Sequence, residues 1–200
     1  EISAPNVTFL STTTADFLDF DILATLTLGG TLTATGPGGV QFADGNDFDV
    51  ILIEGSDEAE VVADVVDIEQ LQRLVVPDEP LVLRPVEDGT AITVGNQATP
   101  GLDVDGEDLA KLEVPEVVIG SETGAHSITV GNDDGTTLEV TQPLTVRAPA
   151  EGGQIELTGS SSGVALQVQG PGETADPNDG TTLTSTVVTT TGDIDIQDSV

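Results

Sequence analysis

The chain has 200 residues, with 36 Asp and Glu against 4 Lys and Arg, a formal net charge of -32 at pH 7. Such a chain repels nucleic-acid phosphates and anionic membrane surfaces, whose binding rests on Lys and Arg, and Arg73, Arg84, Lys111 and Arg147 cannot make a basic patch. Five Phe with no Trp or Tyr leave little for base stacking, sugar platforms or cation cages, and the absence of Cys excludes disulfides, thiolate nucleophiles and Cys-ligated metals.

High charge with few aromatics is also the signature of disorder, but 37% of the residues are hydrophobic. They are mostly Val, Leu and Ile in short alternating runs, enough for a long thin core. The chain opens on a strand-like run, Glu1 to Phe9, without the charged and apolar regions of a signal peptide. With no Met present, Glu1 is expected to be an internal residue of a longer or processed chain. No apolar stretch reaches the roughly 18 residues of a membrane helix, so no integral membrane segment is expected.

Period-two alternation predicts strands in Asp21 to Thr35 and Phe48 to Ile53, separated by breaks at Gly36 to Gly39 and Asp44 to Asp47. An internal repeat follows. Val66 to Pro77 aligns without gaps on Val104 to Pro115, each copy leads into an apolar triplet (Leu81 to Leu83, Val117 to Ile119), and each ends in Ile-Thr-Val-Gly-Asn, at 92–96 and 128–132. The repeat units are 66–96 and 104–132, about 36 to 38 residues apart, within one continuous segment, 1–200.

Within the unit, Asp67 and Asp105 sit where an N-cap belongs, with Gln70 and Asp108 three positions on. Leu71 with Leu74, and Leu109 with Leu112, have the i, i+3 spacing of one helical face, and Pro77 and Pro115 are expected to end that turn. Beyond the repeat, strands are predicted at Thr137 to Val140, Leu144 to Val146, Gln154 to Leu157, Val164 to Val168, Thr182 to Val188 and Ile194 to Ile196.

Short strands at this spacing admit a tandem β-sandwich or a β-solenoid. The adjacent imperfect repeats, the Thr-rich alternation and the missing aromatics favour an all-β solenoid of stacked coils with short helical turns in its connections. Coils of some 20 to 25 residues would give roughly eight to ten of them, about 4.8 Å apart.

The stretch from Leu102 to Val200 resembles the tandem repeats of giant filamentous-haemagglutinin-type surface proteins of bacteria. The residues that carry the likeness are Leu109-Ala-Lys-Leu112, Val118 to Gly124 running into Ile128-Thr-Val130, Leu144 to Pro149, Gly153 to Gly159, and Thr189 to Val200. The resemblance implies a right-handed parallel β-helix, secretion to the cell surface and an adhesive or structural role with no catalytic residues. Its implied partners are further copies or a continuation of the chain in a fibre, and other cell surfaces.

Two other classes are open on the sequence, a phage tail-spike shaft or carbohydrate-binding adhesin module, and a β-helical polysaccharide-degrading enzyme. The enzyme lacks the basic residues of a lyase and the stacking aromatics of a hydrolase. His126, the single histidine, is expected to be a solvated turn residue, and Asp193 with Asp195 a solvated strand face. No cofactor is required; the candidate calcium ligands are Asp103, Asp105 and Asp108 in one loop and Asp44, Asp47 and Asp49 in another, hard oxygens around a Gly turn without the twelve-residue spacing of a helix-loop-helix site. The acid excess also points to a saline setting, where salt screens self-repulsion.

Overall fold

The computed structural model describes residues 2–4, 7–10, 18–19, 26–28, 32–36, 40–41, 50–53, 59–63, 66–67, 73–95, 101–132, 134, 136–163, 165–170 and 180–197. These residues are mostly β-strand, and every strand pairing among them is parallel. A sandwich of antiparallel sheets is therefore not what they form.

The longest sheet has eight strands: Val7–Leu10, Leu32–Gly36, Ala59–Ala63, Leu81–Arg84, Val117–Gly120, Leu144–Arg147, Leu166–Gln169 and Ile194–Gln197. They lie side by side in chain order, each in register with the next. Successive partners are 25, 27, 22, 36, 27, 22 and 28 residues apart. A five-stranded sheet runs in chain order too, through Ile2–Ala4, Leu26–Leu28, Val50–Ile53, Arg73–Val75 and Leu112–Glu113. A three-stranded sheet holds Leu18–Asp19, Val40–Gln41 and Val66–Asp67. Most steps are a little longer than the 20 to 25 residues expected, because connecting corners add to the strands.

The repeat pattern explains the register. Leu81, Val82 and Leu83 pair with Val117, Val118 and Ile119, and Ile92, Thr93 and Val94 pair with Ile128, Thr129 and Val130. Equivalent positions in sequence are neighbours in space. Alternate side chains therefore form aliphatic columns, such as Leu81, Val117, Leu144 and Leu166, or Ile92, Ile128 and Ile155, all inside one core. Each such burial contributes about 1.5 to 3 kcal/mol relative to exposure.

The Gly of each Ile-Thr-Val-Gly-Asn copy turns the chain out of its strand. Gly95 and Gly131 have φ of 126° and 130°, a region that L side chains avoid. A Cβ on Gly131 would drive into the Thr158 carbonyl of the next layer, and one on Gly95 into the Gly131 carbonyl. The Gly131 N–H donates to Val94 O at 2.8 Å.

The 36-residue step from Leu81 to Val117 is the longest because it carries an excursion. Strand Leu102–Val104 runs parallel beside Ile92–Val94, and helix Gly106–Ala110 then packs on strand Thr137–Val140. Asp105 is the N-cap expected, its carboxylate accepting from the Asp108 N–H at 2.8 Å. The helix is shorter than the leucine spacing implied. It stops at Ala110, and Leu112 belongs to a strand paired with Leu74 rather than to a helical face with Leu109. Ladder bonds from Leu74 N–H to Lys111 O and from Val76 N–H to Glu113 O claim these residues before Pro115 can end anything. In the first copy, residues 68–72 lie outside the described residues.

The remaining sheet joins Leu102–Val104, Ile92–Val94, Ser127–Val130 and the long strand Gln154–Gly163, whose C-terminal half pairs Thr137–Val140. Gly180–Thr190 lies along the other side of Gln154–Gly163. Among the described residues no helix is long and apolar enough to cross a membrane.

Candidate functional site

The outward-facing side chains of the eight-stranded sheet form two columns. One runs Glu60, Val82, Val118, Thr145, Gln167, Asp195, and the other holds Arg84, Gly120, Arg147 and Gln169. Val82 and Val118 point away from the core, yet are 6% and 4% exposed. They lie at the floor of a groove, walled by Glu79, Pro80 and Glu116 on one side and by the 121–123 corner on the other.

The groove has two lobes of about 400 Å³ and 370 Å³, which share Val82, Glu122 and Arg147. Arg84 Nε donates to Glu60 Oε1 at 2.5 Å, and Arg147 donates from its Nη1 to Glu122 Oε1 at 3.0 Å. Glu122 is 83% exposed at the rim while Arg147 is 15% exposed, and the Arg147 Nε is buried without a hydrogen-bond partner. Thr145 Oγ1 donates to Glu116 and lies 3.3 Å from Gln167 Oε1. Half of the four basic residues of the chain thus face one concave surface, one on each side of the gap at Gly120.

These residues were not singled out by sequence reasoning. The available signal was Arg at the same outward strand position in Leu81-Val-Leu-Arg84 and Leu144-Thr-Val-Arg147, in a chain nearly devoid of basic residues. Only the stacking register brings the two onto one face.

The expected calcium loop divides its carboxylates among other tasks. Asp105 caps the helix, and Asp108 is buried within it. Asp103 lies on strand Leu102–Val104 with a buried Oδ1 that has no partner. Burial, and then the nearby Asp105 charge, push the Asp103 carboxyl above the usual Asp range. Among the described residues no group of three or more His, Cys, Asp or Glu is arranged to hold a metal ion. Asp44, Asp47 and Asp49 lie outside the described residues.

His126 is not a solvated turn residue. It is 0% exposed, because the Gly124-Ala-His corner folds inward; a Cβ on Gly124 would collide with the imidazole. Its Nδ1 lies 3.1 Å from Thr90 O, which requires the proton on Nδ1 and leaves Nε2 buried without a partner. Burial lowers its pKa from 6.5 against the opposing effects of Thr90 and Asp88, with Arg84 adding to the fall. Asp193 and Asp195 are both exposed, and Asp195 accepts from Gln197 Nε2 at 2.8 Å.

Comparison of the chain with family models, curated proteins and solved structures found no match.

Proposed function

We propose that this chain is a non-catalytic structural and adhesive segment of an extracellular fibre at a cell surface, its sheets closing into a right-handed parallel β-helix. One observation carries the reading. Eight parallel strands follow one another across a sheet in chain order, with aliphatic residues stacked on aliphatic residues in layer after layer. Parallel strands joined by crossovers are right-handed in nearly all folds. A stack of this kind grows by adding layers, and seven steps of about 4.8 Å give an axial length of about 34 Å.

The resemblance to filamentous-haemagglutinin-type repeats and the acid-rich surface fit the same setting.

Electron microscopy of the chain and of two and three copies joined in tandem tests this. Rods of constant width whose length rises with copy number are expected. Separate globules on a string would overturn it.

A further inference from the structure

We propose that the outer groove of the eight-stranded sheet binds an uncharged, hydroxyl-rich saccharide chain. The groove exists wherever the sheet is stacked, so this inference does not depend on fibre assembly.

The balance of charge excludes an anionic ligand. Glu60 and Glu122 take the ion pairs of Arg84 and Arg147, and Glu79, Glu116 and Asp88 remain in excess around the same two lobes. A polyanion would meet that excess and the net charge of -32 behind it. Yet the floor is not simply acidic. It offers the guanidinium groups of Arg84 and Arg147, two amides in Gln167 and Gln169, and the exposed edges of Val82 and Val118. The ligand must accept from a guanidinium, donate to carboxylates, and lay some C–H surface on Val82 and Val118 without carrying charge. Sugar hydroxyls donate and accept at the same atom, and a pyranose ring has an apolar face.

An extended peptide fits less well. Peptides gain affinity at a sheet by adding a strand to an open edge, whereas the backbone groups under this groove are already engaged in the parallel ladders between Leu81–Arg84, Val117–Gly120, Leu144–Arg147 and Leu166–Gln169. Only side chains face the ligand. Without an aromatic platform, binding depends on many weak contacts along the groove, and a short oligosaccharide should bind far less well than a polymer.

Affinity electrophoresis of the full chain in native gels containing a soluble α-glucan, a β-glucan, a galactomannan or polygalacturonate tests the proposal, at 0.15 M salt. Retardation by at least one of the three neutral polymers, and none by polygalacturonate, is expected. Arg147→Met and Gln169→Ala should each weaken the retardation about tenfold, the loss of a strong hydrogen bond, while Asp193→Asn leaves it unchanged. Circular dichroism reports whether each variant is folded. If Arg147→Met does not fold, Gln169→Ala, whose side chain has no partner in the core, decides. No retardation by any neutral polymer, stronger retention by polygalacturonate, or unchanged retention in the folded groove variants would overturn the proposal.

Discussion

The imidazole of His126 donates from Nδ1 to the carbonyl oxygen of Thr90 at 3.1 Å, across 36 residues of sequence. The two positions are equivalent in the internal repeat, since Ile92 pairs with Ile128. The bond therefore joins matching corners of adjacent layers.

Acid should weaken this corner. The folded pKa of His126 lies below 6.5, so above pH 6.5 the residue is neutral in both states and costs nothing. As the pH falls through 6.5 toward the folded value, the unfolded chain takes up a proton that the folded chain resists, and stability is lost. His126→Asn keeps a donor for Thr90 and removes the titration. Between pH 7.5 and 5.5, Tm of the parent should fall relative to Tm of this variant; parallel changes in the two would contradict the assignment.

Two glycines of positive φ separate crowding from backbone freedom. Gly89 has φ of 91° and open space where a Cβ would go, whereas Gly131 has φ of 130° and the Thr158 carbonyl in the way. Gly89→Ala should cost about 1 kcal/mol through the backbone alone. Gly131→Ala should cost about 3 kcal/mol or more, because a layer must shift. Equal losses in denaturant melts would show that the layers are not in close contact at Gly131.

The period-two runs and the repeat made the strands and their stacking register legible, since Leu81 to Leu83 and Val117 to Ile119 differ only by which layer they occupy. The spacing of Leu109 and Leu112 misled, because two residues three apart are also compatible with a helix that ends between them and a strand that claims the second. His126 misled for a different reason. Gly and Ser neighbours look like a surface turn, and nothing local reveals that the corner folds inward over another layer. The groove was hidden because Arg84 and Arg147 are 63 positions apart and meet only through two registers.

Asp103 opposes folding at neutral pH. Its carboxyl pKa is raised by burial and by Asp105, so the penalty exists above the folded pKa and fades as the pH falls toward 3.8. Asp103→Asn should stabilise the protein at pH 7, and the gain should vanish near pH 3.8. A loss of stability at pH 7 would show that the carboxylate has a partner, such as a bound cation.

The excess of 32 negative charges predicts a salt response. Raising NaCl shortens the screening length from about 10 Å at 0.1 M to about 3 Å at 1 M, so Tm should climb, most steeply at low salt. A flat Tm from 0.01 to 1 M NaCl would contradict the self-repulsion argument.

Disulfide trapping in this Cys-free chain tests the stacked architecture most directly. Neighbouring parallel strands are about 4.8 Å apart, within the Cα separations a disulfide spans. Ser127 with Gln154, and Gln167 with Asp195, are register partners in adjacent layers, while Thr145 and Asp195 are two layers apart. Cysteine pairs at the first two should oxidise readily and raise Tm, and the pair at the third should stay reduced. Reduced cysteines at both register pairs, or equally fast closure at Thr145 and Asp195, would contradict the stacking on which the proposed role depends.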